Sequence, residues 1–322
     1  MSSVAVIGAG AVGSYYGALL ALAGHDVRFL MRRDLEAVRN AGLRVESPLG
    51  GFRLDAVQAY ATPQEIGPVD WVICSLKSTS LDEAAALIAP CLGPRTRILA
   101  LMNGLGVEAQ LGAEFGRDRV FGGMAFVCIN RGAPGVVNHL RYGRVTVGHL
   151  QNDLAQTEEL ARLLGAAGIE VVVAANLRQA RWEKLAWNVP FNGLSVAAGG
   201  VGTETIIGDP ALRGVAQRAM RELIQVGNAD LADLESPSRI DEDALVTSLF
   251  ALTETMGDYR TSMVIDYVLR RPLEVEAILG GPARRAAQLA IPAPTIGALY
   301  ALVGAADRQV RGLARALTAT DL

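Results

Sequence analysis

The stretch Val4 to Gly17, VAVIGAGAVGSYYG, constrains this chain more than any other. Val4 to Ile7 have the apolar, β-branched character of a buried strand, and they run directly into Gly8, Gly10 and Gly13. Glycines at this spacing between a strand and a helix serve separate ends. The first permits a tight turn, the second leaves room for a phosphate against the backbone, and the third lets helix and strand pack closely. With Ala11 and Val12 they open a helix whose unpaired N-terminal amides face an anion. One such triplet is a weak signal in a chain with 35 glycines. Its context strengthens it. An Ala- and Leu-rich helix over Tyr15 to Ala23, a Gly24-His25-Asp26 turn and a second apolar run, Val27 to Met31, complete a strand-helix-strand unit. The stretch predicts a dinucleotide site.

The residues after the second strand narrow the cofactor. An NAD-preferring site usually carries an acid about twenty positions past the glycines. Here Arg32 and Arg33 stand in that place. A guanidinium matches a phosphate through two parallel hydrogen bonds, so the pair points to the 2′-phosphate of NADP. Arg32 lies nearer the strand end. Two solvated arginines with Asp34 as their partner are the alternative.

The 322 residues suit two domains, and 51% hydrophobic with 20% charged residues describes a soluble globular protein. A formal net charge of −3, with arginines and acids interspersed, gives no electrostatic case for nucleic acid. Cys74, Cys91 and Cys128 are odd in number and widely spaced, and His25, His139 and His149 are as scattered, so neither a disulfide framework nor a metal is expected. Val4 to Ala23 is apolar, but its glycines, two tyrosines and missing basic leader argue against a signal peptide. No other stretch approaches the roughly eighteen apolar residues of a membrane span, so no membrane segment is expected and the location is read as cytoplasmic. Monomer and homodimer both remain open, because apolar helix faces such as Leu245 to Leu252 serve as core or as interface.

Taken in order, the chain reads as helix over Leu35 to Ala41, hairpin over Leu43 to Tyr60 around Pro48-Leu49-Gly50-Gly51, and strand over Asp70 to Lys77. Ligands in an open α/β sheet sit at the carboxyl ends of strands, which makes Lys77 a candidate contact. A helix over Leu81 to Ala89 and a strand over Arg97 to Met102 follow, and Asn103 gains weight at that strand's end in the same way. Strands over Val120 to Ile129, Arg144 to Gly148 and Ile169 to Val173, with a helix over Asp153 to Ala167, continue the alternation. The pattern predicts an α/β Rossmann-type doubly wound sheet over residues 1–175. From residue 176 the periodicity becomes helical, over Leu177 to Ala198, Pro210 to Ala232, Asp241 to Ile265, Leu273 to Leu289 and Pro294 to Thr318. An all-α domain over 176–322 is expected, with substrate-binding and catalytic residues.

Within the first of these helices, Lys184, Asn188 and Asn192 recur at four-residue intervals and share one face, flanked by Trp187, Val189 and Phe191. Pro190 removes a backbone donor and is expected to kink the helix. A lysine there can protonate a carbonyl oxygen as hydride reaches the carbon, and the asparagines can hold substrate. A solvated surface stripe is the alternative.

The sequence resembles the ketopantoate reductases (2-dehydropantoate 2-reductases) over essentially its whole length. The matching segments are Gly8-Ala9-Gly10-Ala11-Val12-Gly13, Lys77, Asn103-Gly104-Leu105-Gly106, Trp182-Glu183-Lys184-Leu185 with Asn188 and Asn192, Arg260-Thr261-Ser262-Met263, and Glu274 twelve residues after Ser262. The resemblance implies NADPH-dependent reduction of a 2-keto acid, ketopantoate, to a 2-hydroxy acid in pantothenate biosynthesis. It implies Lys184 as general acid, oriented and stabilised by Glu274. Asn188, Asn192 and Ser262 would contact substrate, Ser262 at the keto-acid carboxylate, with Asn103 at the junction of cofactor and substrate and Lys77 on the cofactor side. The chain departs from the family at two places. Gly202 stands where the family carries an asparagine that contacts the substrate hydroxyl, and Leu279-Gly280 where it tends to carry Asn-Gly. These departures leave the reaction type intact and open a second possibility, a paralogue acting on another 2-keto acid. A non-catalytic NADP-binding sensor is a third.

Overall fold

The N-terminal apolar run forms strand β1 (Ser3–Ile7), and the glycines lead from it into helix α1 (Ala11–Leu22) in a computed structural model that describes residues 1–314. Alternate residues of β1 enter opposite cores. Val4 and Val6 pack with Tyr16, Phe29 and Phe121, whereas Ala5 and Ile7 pack with Val72, Ile88 and Ile98. A strand covered on both faces has no place for a polar residue, which is why the run is uniformly apolar.

Strand β2 (Asp26–Leu30), helix α2 (Leu35–Ala41), and strands β3 (Leu43–Glu46), β4 (Phe52–Leu54) and β5 (Gln58–Tyr60) follow. β3 and β4 form the expected hairpin, Leu43 opposite Leu54, but β5 leaves it and pairs in parallel with β2. The hairpin thus ends at Leu54 rather than Tyr60. Gln58 Nε2 donates to Asp26 Oδ1 at 2.6 Å and Ala59 is buried, so β5 gains a side-chain bond and a core position by crossing.

The unit continues through α3 (Pro63–Ile66), β6 (Val69–Cys74), α4 (Leu81–Ile88), β7 (Leu92–Ala100), α5 (Val107–Phe115), β8 (Val120–Arg131), β9 (Val136–His149), α6 (Leu154–Ala166) and β10 (Val171–Val173). Two differences from the sequence pattern stand out. Helix α5 is not foreseen, because Val107 and Leu111 are the whole of its buried large apolar stripe. β9 begins eight residues before Arg144, in a segment whose Asn138, His139 and Arg141 mask the alternation.

The sheet has ten strands in the order β4-β3-β9-β8-β7-β6-β1-β2-β5, with β10 also on β9. β5, β2, β1, β6, β7 and β8 run parallel, and β9 returns antiparallel to β8. Ile7 lies opposite both Leu30 and Cys74, and Cys74 opposite Ala100. The carboxyl ends of β2, β1, β6 and β7 therefore form one row. The order reverses at β1, so the crevice between β1 and β6 is the switch point where such sheets take ligands.

The remaining elements are helical: α7 (Leu177–Ala197), α8 (Thr203–Gly208), α9 (Pro210–Asp233), α10 (Glu242–Glu254), α11 (Ser262–Val268), a π-helical turn (Glu276–Gly280), α12 (Gly281–Gln288) and α13 (Pro294–Val310). The helix expected over Asp241 to Ile265 is two. α10 ends before Gly257, whose φ of +64 halts a right-handed helix, and Thr261 caps α11 by accepting from the Val264 amide. The helix expected to begin at Leu273 starts instead with the π turn, and residues 315–318 of the last expected helix lie outside the described residues. By contact density the chain divides into a unit of Met1–Asn103 with Val107–Leu177 and a unit of Gly104–Gly106 with Arg178 onward.

Asp230 anchors the helical unit. Its wholly buried carboxylate in α9 accepts from Arg178 Nε at 2.5 Å, Trp182 Nε1 at 2.6 Å and Arg285 Nε at 2.6 Å. Those donors stand on α7 and α12, so one charge ties three helices. Trp182 packs close to α9 because Gly227 offers no side chain; a Cβ there would stand 2.9 Å from Trp182 Cγ.

Candidate active site

At the switch point the three glycines differ in what confines them. Gly8 has φ +95, and a Cβ on it would meet Leu76 N at 2.6 Å, so both conformation and space require glycine. A Cβ on Gly13 would overlap Ser75 Oγ and stand 2.6 Å from the Gly8 carbonyl oxygen. Gly10 is different. Its φ of −79 suits any residue, and an added Cβ would have only the Gly8 carbonyl within reach, at 3.9 Å. Nothing in the protein forbids a side chain there. Beyond it the first-turn amides of Ala11, Val12 and Gly13 have no intrahelical acceptor. A turn of this geometry can hold an anion.

Ser75, which the sequence reading passed over, closes this turn. Its amide donates to the Ile7 carbonyl at 2.8 Å and its hydroxyl to the Gly8 carbonyl at 2.9 Å. Only its place directly after the apolar run of β6 could have signalled it.

Arg32 lies two residues beyond β2, exposed, with no ion pair among the described residues. Asp34 is engaged elsewhere, by Arg131 at 2.7 Å, with Arg33 only at 3.9 Å. Lys77 is exposed three residues past β6, and Asn103 is half-buried three residues past β7, both on the row of carboxyl ends. The unit thus brings Gly8, Gly10, Ala11, Val12, Gly13, Arg32, Lys77 and Asn103 to one edge of the sheet. Immediately after Asn103 the chain joins the other unit, where Gly104 packs against Ala277 and the Leu105 amide donates to the Ala277 carbonyl at 3.0 Å.

In the helical unit, α7 continues through Pro190, and Lys184, Asn188 and Asn192 lie on it as the spacing requires. Lys184 is half-buried, its Nζ 5.9 Å from the Trp187 ring centre. Trp187 is fixed by its Nε1 donating to Thr253 Oγ1 at 3.0 Å and by Phe191 at 5.0 Å. Asn188 is buried at 5% exposure. Asn192 is committed at both ends of its amide: Nδ2 donates to the Asn188 carbonyl at 2.9 Å and Oδ1 accepts from the Met263 amide at 3.2 Å. It therefore fastens the start of α11, where Ser262 stands exposed. Glu274 is buried just before the π turn, and Leu279 within that turn is wholly buried. A π turn is a rare local distortion that recurs at functional sites.

Residues 4–152 match the family described as ketopantoate reductase PanE/ApbA, and residues 176–307 match its C-terminal region. The chain belongs to the ketopantoate reductase family. It is accordingly a pyridine-nucleotide-dependent oxidoreductase, and the family spans both units. A 2-dehydropantoate 2-reductase of Nostoc sp. is 36% identical over 302 residues, covering 92% of each chain. The crystal structure of 2-dehydropantoate 2-reductase from Geobacter metallireducens is 41% identical with a TM-score of 0.90, covering 94% of this chain and 99% of that one. D-mandelate dehydrogenase, solved with NADH and anilino(oxo)acetate, shares the fold at a TM-score of 0.86 and 21% identity over 96% of this chain and 99% of that one.

Proposed function

We propose that this protein reduces 2-dehydropantoate to pantoate with NADPH, as the step of pantothenate biosynthesis that makes the 2-hydroxy acid. The observation that carries this reading is the family match over both parts of the chain, with Lys184, Asn188, Asn192, Ser262 and Glu274 all inside the second matched stretch.

The residues at the sheet edge suit a phosphorylated dinucleotide. Gly10 leaves the space, the amides of Ala11, Val12 and Gly13 supply donors, and the unpaired Arg32 offers a bidentate partner to a 2′-phosphate. Lys77 adds a cation and Asn103 a hydrogen-bonding amide on the same row. NADPH supplies the hydride for the keto carbon. Lys184 then donates a proton from Nζ to the carbonyl oxygen, where negative charge develops. Glu274 orients that ammonium and favours its charged form. Asn188 hydrogen-bonds substrate. Asn192 acts largely by fastening α11, which presents the Ser262 hydroxyl to the keto-acid carboxylate.

Lys184→Ala tests this assignment. Turnover should fall by about 10² to 10⁴, the range of general acid catalysis, with NADPH affinity retained. Unaltered turnover would remove Lys184 from the mechanism.

A second reading, a paralogous reductase of another 2-keto acid, is favoured by Gly202, which brings no side chain to the site. Leu279 carries less weight for it, being wholly buried. A non-catalytic NADP-binding sensor predicts binding without turnover of any 2-keto acid. No helix among the described residues is long and apolar enough to cross a membrane. Cytoplasmic location, as a monomer or homodimer, completes the proposal.

A further inference from the structure

Gly202 caps α8 with φ −85 and ψ 177, backbone angles open to any residue, so space rather than conformation keeps it glycine. The space is taken by Asp258. A Cβ on Gly202 would overlap Asp258 Oδ1 and stand 2.8 Å from its Cγ.

The turn that carries Asp258 is tightly held. Thr203, wholly buried, has its hydroxyl 2.8 Å from the Gly257 carbonyl and accepts from the Tyr259 amide at 3.1 Å, while its own amide donates to the Tyr259 carbonyl at 2.9 Å. The bonds on either side fix Asp258 over Gly202. The carboxylate itself is exposed and makes no hydrogen bond or ion pair among the described residues. The residues that follow it lead toward the proposed chemistry. The Tyr259 ring lies 6.0 Å from Trp187, the ring beside Lys184, and Ser262 follows four residues later at the start of α11.

We propose that Asp258 is a specificity-determining residue, accepting a hydrogen bond from a hydroxyl on the carbon chain of the 2-keto acid. This rests on the function proposed above and deepens it. An ionised carboxylate only accepts, so it favours a donor. It repels the keto acid's own carboxylate, which orients the far end of the substrate toward it, and it repels a second carboxylate there. 2-Dehydropantoate has such a hydroxyl two carbons beyond its keto group, whereas trimethylpyruvate is the same molecule with a methyl in place of the hydroxymethyl.

The test is the ratio of kcat/KM for 2-dehydropantoate to that for trimethylpyruvate, measured at saturating NADPH. In Asp258→Ala the ratio should fall about 10- to 100-fold, the loss of one hydrogen bond to a charged group. Asp258→Asn, which keeps an acceptor oxygen, should restore part of it. Gly202→Ala should lower the ratio as well, because its methyl displaces the carboxylate, and should add nothing in the Asp258→Ala background. That variant also serves if Asp258→Ala fails to fold. A ratio unchanged within about two-fold in both Asp258→Ala and Gly202→Ala would overturn the proposal. A wild type that prefers trimethylpyruvate would overturn it while leaving a 2-keto acid reductase. A wild type that reduces no 2-keto acid would overturn the proposed function along with it.

Discussion

Replacing Asp230 by alanine removes the acceptor that Arg178, Trp182 and Arg285 share, leaving Arg285 its bond to Asp233. Breaking a buried ion pair by removing one partner costs about 3–5 kcal/mol. The guanidinium side chains here are 29% and 20% exposed and can recruit water, which places the expected loss near the lower end, about 3 kcal/mol. Asp230→Asn keeps one acceptor and should cost about 1.5–3 kcal/mol. Urea unfolding followed by tryptophan fluorescence, from Trp71, Trp182 and Trp187 together, measures both, with unchanged slope and a lower midpoint. The pH dependence gives an independent sign. Burial alone would raise the Asp230 carboxyl, but the hydrogen bonds from Arg178 and Trp182 and the arginine charges outweigh it and hold the carboxyl below its ordinary value. A depressed folded-state value stabilises above the unfolded value of about 3.9, and that contribution is lost as pH falls through the folded value. The gap between wild type and Asp230→Asn should therefore be full at neutral pH and close only below about pH 4. A loss under about 1 kcal/mol for Asp230→Ala, or a gap that closes as pH rises, would refute the reasoning.

Three further outcomes follow from the glycine turn and its arginine. Gly10→Ala should leave stability within about 0.5 kcal/mol, because its methyl meets only one atom at 3.9 Å, yet weaken NADPH binding measured by fluorescence titration. Gly13→Ala should cost about 1–3 kcal/mol in thermal or urea unfolding, because its methyl meets Ser75 and the Gly8 carbonyl. Arg32→Ala should weaken NADPH binding by about 10- to 100-fold and NADH binding little, since the lost bonds are those to the 2′-phosphate.

The sequence disclosed most where a residue's role is set by its chain neighbours. The strand-glycine-helix stretch reads correctly because a doubly buried strand must be apolar and the turn after it must contain glycine. Likewise, Lys184, Asn188 and Asn192 fall on α7 because helical spacing alone places them there. What stayed hidden depends on partners distant in sequence. Ser75 bonds to Gly8 across 67 residues, Asp230 to Trp182 across 48, and Asn192 to Met263 across 71. Periodicity also ran across the break between α10 and α11, because the apolar spacing continues past Gly257 while the backbone does not. Gly202, a missing side chain in the sequence, is in the structure the space that Asp258 fills.

The most direct test of the account is the loss of NADPH absorbance on adding 2-dehydropantoate to the purified protein, repeated with NADH and with other 2-keto acids. The account predicts efficient turnover of 2-dehydropantoate, faster with NADPH than with NADH at low cofactor concentration, and lowered about 10² to 10⁴-fold by Lys184→Ala. Binding of NADPH with no oxidation by 2-dehydropantoate or any other 2-keto acid would contradict it.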